Sequence, residues 1–117
     1  METELRGELL LVTFTGNATL DSSVRLLNQF CEMLAEKPAH KILINMFAVS
    51  RSQLTTIDRY ELGTKLSECL AQLAVNTRLA FVGIRDGFVV KVAKNRGACA
   101  EAFPSIEKAR NWLAIWP

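Results

Sequence analysis

The hydroxyls of Ser50, Ser52, Thr55 and Thr56 crowd one polar connection together with Arg51 and Arg59. That segment, Phe47 to Ile57, leaves the carboxyl end of an apolar run and enters a helix start. Backbone N–H groups point outward at such a start, and anions are welcome there. Each hydroxyl can accept a phosphate, whose roughly two negative charges would be favoured by the helix end and by Arg51 or Arg59. Thr55 and Thr56 are also what a helix cap requires, which is the simpler reading of them. Phe47, Val49, Leu54 and Ile57 in the same stretch either cover the sheet edge or face a partner.

Other chemistry-bearing residues are scattered. The single histidine, His40, precedes an apolar strand, whereas active sites of open α/β sheets gather beyond the strands' carboxyl ends. It reads as a surface residue rather than a base. Cys31, Cys69 and Cys99 lack any C-x-x-C spacing and sit in apolar company, so they read as three reduced thiols acting as small hydrophobes, with no structural metal. Gly83, Gly87 and Gly97 form neither a Walker A nor a G-x-G-x-x-G loop, so no phosphate cradle and no nucleotide cofactor is implied. Lys91, Lys94 and Arg96 lie close together but without interleaved aromatics, which describes a solvated helix face rather than a nucleic-acid patch. No catalytic constellation emerges, and the chain is expected not to be an enzyme.

The elements that position these residues follow from periodicity. A short strand near Thr3 to Leu5 turns through Arg6-Gly7-Glu8 into a β-prone run over residues 9–15 that ends at Gly16. Val24, Leu27, Cys31 and Leu34 repeat at helical spacing, with Asp21 as the expected cap and Pro38 as the stop. Lys41 to Met46 is apolar without alternation, the mark of a central strand covered on both faces. Leu62, Leu66, Leu70 and Leu73 define a second helix starting near Thr56, with Thr55-x-x-Asp58 as a variant capping box. Arg78 to Ile84 is the next buried strand, and Phe88 to Arg96 a short helix stopped by Gly97. Residues 99–103 make a short strand, and Ser105 caps a helix that stripes Ala109, Trp112, Leu113 and Trp116 as core. The order β, β, α, β, α, β, α, β, α predicts an α/β fold: a mainly parallel mixed sheet with an N-terminal hairpin and about four helices.

Gly16 with Leu20-Asp21, then Lys41-Ile-Leu-Ile-Asn45 and a loop into the second helix, resemble a STAS domain, the anti-sigma-factor-antagonist fold, over nearly the whole chain. Thr56-Ile-Asp-Arg-Tyr-Glu-Leu-Gly63, Leu79-Ala-Phe-Val-Gly83, Asn95-Arg-Gly97, Phe103 and Ala109-x-x-Trp-Leu113 are closest to its SpoIIAA-like branch. The resemblance implies a regulatory module that binds a protein, often controlled by phosphorylation at the loop entering the second helix. Two positions depart from the family pattern. Asn45 replaces the strand-end Asp, and the Asp-Ser-Ser-Gly motif is missing from Ser50-Arg-Ser-Gln-Leu-Thr-Thr-Ile-Asp58. Asp21-Ser22-Ser23 is a decoy that opens the first helix.

A chain of 117 residues forms one domain, 1–117, and buries roughly 65% of its unfolded surface without staples. A net charge of +2 calls for no polyanion, and no apolar run approaches the roughly 18 to 20 residues that span a bilayer. The acidic opening Met-Glu-Thr-Glu is unlike a signal peptide, so a cytoplasmic location is expected. The expected partner is a protein, with neither nucleic acid nor stable membrane association, and the chain a monomer or weak homodimer. The contact residues expected are Arg51, Ser52, Thr55, Thr56, Arg59 and Tyr60, with Thr56 the candidate phosphosite. The alternative is a carrier or sensor of a small apolar ligand, which requires a cavity between sheet and helices lined by residues such as Phe88, Val89 and Leu66.

Overall fold

The computed structural model describes residues 1–50, 54–73, 75–84 and 87–115. Strands β1 (Glu2–Arg6) and β2 (Leu9–Asn17) form an antiparallel hairpin. β2 then pairs in parallel with β3 (Lys41–Ser50), β3 with β4 (Arg78–Val82), and β4 with β5 (Ala100–Phe103), so the order in the sheet is β1-β2-β3-β4-β5. The expected central strand is central. Ile42, Leu43 and Ile44 are all buried, which explains why its sequence shows no alternation.

Three helices cross between parallel strands: α1 (Leu20–Glu36), α2 (Thr56–Ala71) and α3 (Phe88–Asn95). Crossovers of one hand along a sheet that grows in one direction must fall on one face. The core agrees, since Phe30, Leu34, Leu66, Val90 and Ala93 pack on Val12, Ile42, Ile44, Leu79 and Phe81. The helix after the last strand, α4 (Ile106–Ala114), is free of that constraint and covers the other face, where Ala109 and Leu113 meet Leu43, Ala80 and Val82. Trp112 packs on Phe103 with ring centroids 5.4 Å apart, and Trp116 lies outside the described residues.

Local signals account for most boundaries. Thr55 caps α2 in the expected box, its Oγ1 accepting from the Asp58 N–H and Asp58 Oδ2 accepting from the Thr55 N–H, both at 3.1 Å. Ser105 caps α4. The cap of α1 is a correction: it is Thr19 and not Asp21. Thr19 is extended, its Oγ1 accepts from the Ser22 N–H at 3.1 Å, and Ser22 Oγ accepts from the Thr19 N–H at 2.9 Å. A serine thus plays the part usually taken by Glu or Gln, while Asp21 lies in the first turn, where the helix dipole favours its charge.

The cysteine reading is also corrected. Cys31 of α1 and Cys69 of α2 form a disulfide, and Cys99 is exposed and unpaired. Their Cα atoms lie 6.0 Å apart, within the range a disulfide bridges, because α1 and α2 run side by side on one face. Disulfides persist in oxidising surroundings, so the thiols no longer support the expectation of a cytoplasmic location.

Gly97 ends α3 with φ +102° and open space where a Cβ would stand. Its replacement is therefore a purely conformational test. Gly97→Val should lower stability by about 1 kcal/mol or more in denaturant unfolding; an unchanged midpoint would remove positive φ as the reason this helix stops here.

Candidate functional site

The carboxyl end of the sheet is built by an overshoot. Pairing of β3 with β4 stops at Asn45 and Val82, but pairing of β2 with β3 resumes beyond a bulge between Thr13 and Thr15 and continues to Asn17 and Ser50. Phe47 to Ser50, expected in the connection, are thus strand. Asn45, the residue standing where the resembled family has Asp, turns its Oδ1 onto the Phe47 N–H at 2.9 Å, a local side-chain bond typical of Asn. Gly83, with φ +84°, carries β4 out past this point so closely that a Cβ there would lie 2.5 Å from the Phe47 nitrogen. The ends of β3 and β4 therefore meet at Phe47 and Gly83, while Arg85 and Asp86 lie outside the described residues.

Of the six expected contact residues, Arg51 and Ser52 lie outside the described residues. The other four come together on the first turns of α2. Thr55 is engaged in its cap, Thr56 is exposed at the first helical position, Arg59 is half-buried and Tyr60 is 47% exposed. Two apolar side chains stand nearby in the chain with even more surface free, Phe47 at 59% and Ile57 at 78%; they face outward rather than covering the sheet edge. Arg96, at the end of α3, donates from Nη2 to Tyr60 Oη at 2.5 Å and lies 5.4 Å from the ring centroid, which orients the ring by both hydrogen bond and cation–π attraction. Sequence inspection assigned Arg96 to a solvated face, because its relation to Tyr60 depends on how α3 packs against α2. That packing is tight at Gly63, where a Cβ would lie 2.7 Å from the Val89 carbonyl oxygen.

The remaining basic residues of α3 are exposed, and Lys94 pairs with Glu101 at 2.6 Å. His40 is exposed at the opposite, amino end of β3, its Nδ1 3.1 Å from the Asn76 carbonyl oxygen. Among the described residues no three His, Cys, Asp or Glu side chains gather as metal ligands, and no helix is long and apolar enough to cross a membrane.

Beneath the carboxyl end lies a cavity of about 220 Å³ between the sheet and the three crossover helices. Its floor is buried, formed by Phe30, Ile44 and Leu66, and its exposed rim includes Thr15, Gly16 and Asn17 of the overshooting ribbon. Val89 and Leu66 line it as the ligand alternative required; Phe88 lies outside its wall.

No protein-family model and no curated protein matches the sequence. Among solved structures, a serine-to-glutamate variant of RsbS from Moorella thermoacetica aligns over 95% of this chain and 95% of its own, with a TM-score of 0.50 and 13% identity. RsbS is a STAS-domain protein of the anti-sigma-factor-antagonist kind. The shared features are four helices and a five-stranded mixed sheet opened by an antiparallel hairpin, and with these in place the chain has the fold of a STAS domain.

Proposed function

We propose that this chain is a non-enzymatic regulatory module that binds another protein through the carboxyl end of its sheet. The observation that carries the reading is the cluster at the start of α2. Ile57 and Tyr60 are large, exposed and only three residues apart, with Arg59 between them and Arg96 fixing the tyrosine ring. Exposed aromatic, aliphatic and arginine side chains together make the composition of binding hot spots. The STAS fold of the neighbour, whose relatives act as antagonists of anti-sigma factors, supports the same reading. The chain works as a monomer or weak homodimer, with neither nucleic acid nor membrane as its target.

Control by negative charge belongs to the same surface. Thr56 is exposed at the first position of α2, where a phosphate is favoured by the helix dipole and can meet Arg59. The Asp-Ser-Ser-Gly motif of the resembled family is absent, so binding is either constitutive or switched at this threonine.

Affinity capture from native extract, with mass spectrometry and a titration of the captured protein, tests both statements. Tyr60→Ala and Ile57→Glu, each confirmed as folded by circular dichroism, are expected to weaken capture of the specific partner by about tenfold or more, the scale of a hot-spot loss of about 1.4 kcal/mol. Folded variants that hold the partner undiminished would exclude this surface. Thr56→Asp should weaken capture while Thr56→Val leaves it intact, because valine removes the hydroxyl without adding charge; equal effects of the two would exclude charge as the switch.

A further inference from the structure

We infer that the outer edge of β1 is a docking surface for a second copy of this chain, the two sheets joining edge to edge about a two-fold axis at Leu5. Three observations point to that occupant. The first is the backbone. β1 ends the strand order and, among the described strands, pairs with β2 alone. Only Gly7 and Glu8 separate Arg6 from its partner Leu9, and of these two Gly7 has positive φ, at +61°, as a type II′ hairpin turn requires. In such a hairpin the closing pair, Arg6 with Leu9, exchanges both backbone hydrogen bonds, and by alternation Glu4 and Glu2 do the same with their partners. Thr3 and Leu5 therefore aim their N–H and C=O groups away from the sheet, as an edge open to another strand does.

The second is apolar surface. Leu5 is 66% exposed. It lies opposite Leu10, which packs against the main core, and so stands on the same face of the sheet as the crossover helices. With Leu5 of two copies facing each other, the two Leu5 and the two Leu10 side chains form one row, and the core continues across the joint. Side chains opposite each other in an antiparallel pair are the contacts that stabilise a sheet.

The third is charge. Glu4 and Arg6 stand on the other face, 3.2 Å apart along one strand and both exposed, so their own contact is screened and weak. Charges on an edge ordinarily repel a second strand, but opposite charges two residues apart become self-complementary once the second strand runs antiparallel. An axis at Leu5 sets Glu4 of each copy against Arg6 of the other. Moved to Glu4, the axis would set Glu4 against itself, and moved to Thr3 it would set Glu2 against Glu4, both like-charge pairs that oppose pairing. With the axis at Leu5, Glu2 lies past the end of the ladder, because Glu8, the residue it would meet, is already in the turn. The contact is isologous and closed, so it stops at two chains. It uses no residue of the α2 surface and is measured on the purified chain, so its failure and the failure of partner capture are separate results.

Sedimentation equilibrium of the full chain, without an added N-terminal tag, is expected to show the mass rising from one chain to two and no further between about 20 µM and about 1 mM, the range of a small interface. Arg6→Glu and Glu4→Arg, each confirmed as folded by circular dichroism, should each weaken association by about tenfold or more, and the double exchange should restore it, because the pairs form again with their signs reversed. In a Cys99→Ser background, mild oxidation should link Leu5→Cys to itself and leave Thr3→Cys as single chains, since only the residue on the axis lies opposite its own copy. The inference is overturned if the unmodified chain keeps the mass of one chain at the highest concentration, if the mass grows beyond two, if the double exchange associates no better than the single ones, or if Thr3→Cys links as well as Leu5→Cys. The mass of the unmodified chain decides even if a variant misfolds.

Discussion

Gly83→Ala is expected to cost about 3 kcal/mol or more, more than any other single methyl added to this chain, because it meets two independent obstacles. Its φ of +84° lies in the region that L side chains avoid, and the new Cβ would stand 2.5 Å from the Phe47 nitrogen and 2.8 Å from the Met46 carbonyl carbon. Both are backbone atoms of the central strand, which is held in pairing on its other side by β2. Neither can retreat without loosening the sheet. Gly97 provides the control, since it shares the positive φ but has no neighbour within 4 Å of a Cβ. Urea unfolding of Gly83→Ala beside Gly97→Ala should therefore show a clearly larger fall in midpoint for Gly83. Equal losses would mean that the close approach of the two strand ends contributes nothing and that backbone conformation alone is at stake.

Removing the disulfide should have an effect of comparable size. Cys31 and Cys69 are separated by 38 residues, and closing a loop of that length restricts the unfolded chain by about 4 kcal/mol in the chain-entropy account. The bridge also holds together the two helices that roof the cavity. Cys31→Ser is expected to lower the melting temperature by about 10 °C or more, and Cys69→Ser by a similar amount, with no further loss in the double variant because each alone breaks the same bond. Peptide mapping without reductant should yield a Cys31–Cys69 cross-linked peptide and an alkylated Cys99. Alkylation of all three thiols in the oxidised, denatured protein would refute the bridge.

Much of the architecture is legible in the residues, and the parts that are not share one cause. The unalternating run from Lys41 announces a strand buried on both faces, Thr55-x-x-Asp58 announces a helix start, and Gly97 a helix stop, because each signal is local and acts through the chain's own neighbours. Phe47 to Ser50 escape notice as strand because Phe47 falls at the bulge and Ala48 to Ser50 pair on one side only, with β2 beyond it, and the exposure of Phe47, Ala48 and Ser50 allows a composition that reads as connection. The Cys31–Cys69 bridge escapes for a related reason: the spacing of two cysteines in different helices says nothing until the crossing of those helices is known. The start of α2 as a candidate surface could be placed from sequence, since helix-start chemistry and strand order bring it to the sheet's carboxyl end. The Arg96 contact to Tyr60 and the cavity could not, because both arise between elements far apart in the chain.

The strand order has a consequence for how the molecule is made. Each strand lies beside the one synthesised just before it, so no segment must wait for a later one to be inserted between it and its neighbour. As the chain leaves the ribosome, the sheet can grow outward from the initial hairpin, each step enclosing a single helix and adding one loop closure whose entropy rises only slowly with length. The exposed edge moves along with synthesis and is covered by the next arrival. The second face stays bare until α4 arrives after β5. A stalled or truncated chain lacking that helix would present Leu43, Ala80 and Val82 to solvent, and quality control would meet it as an apolar sheet surface rather than as an unfolded chain.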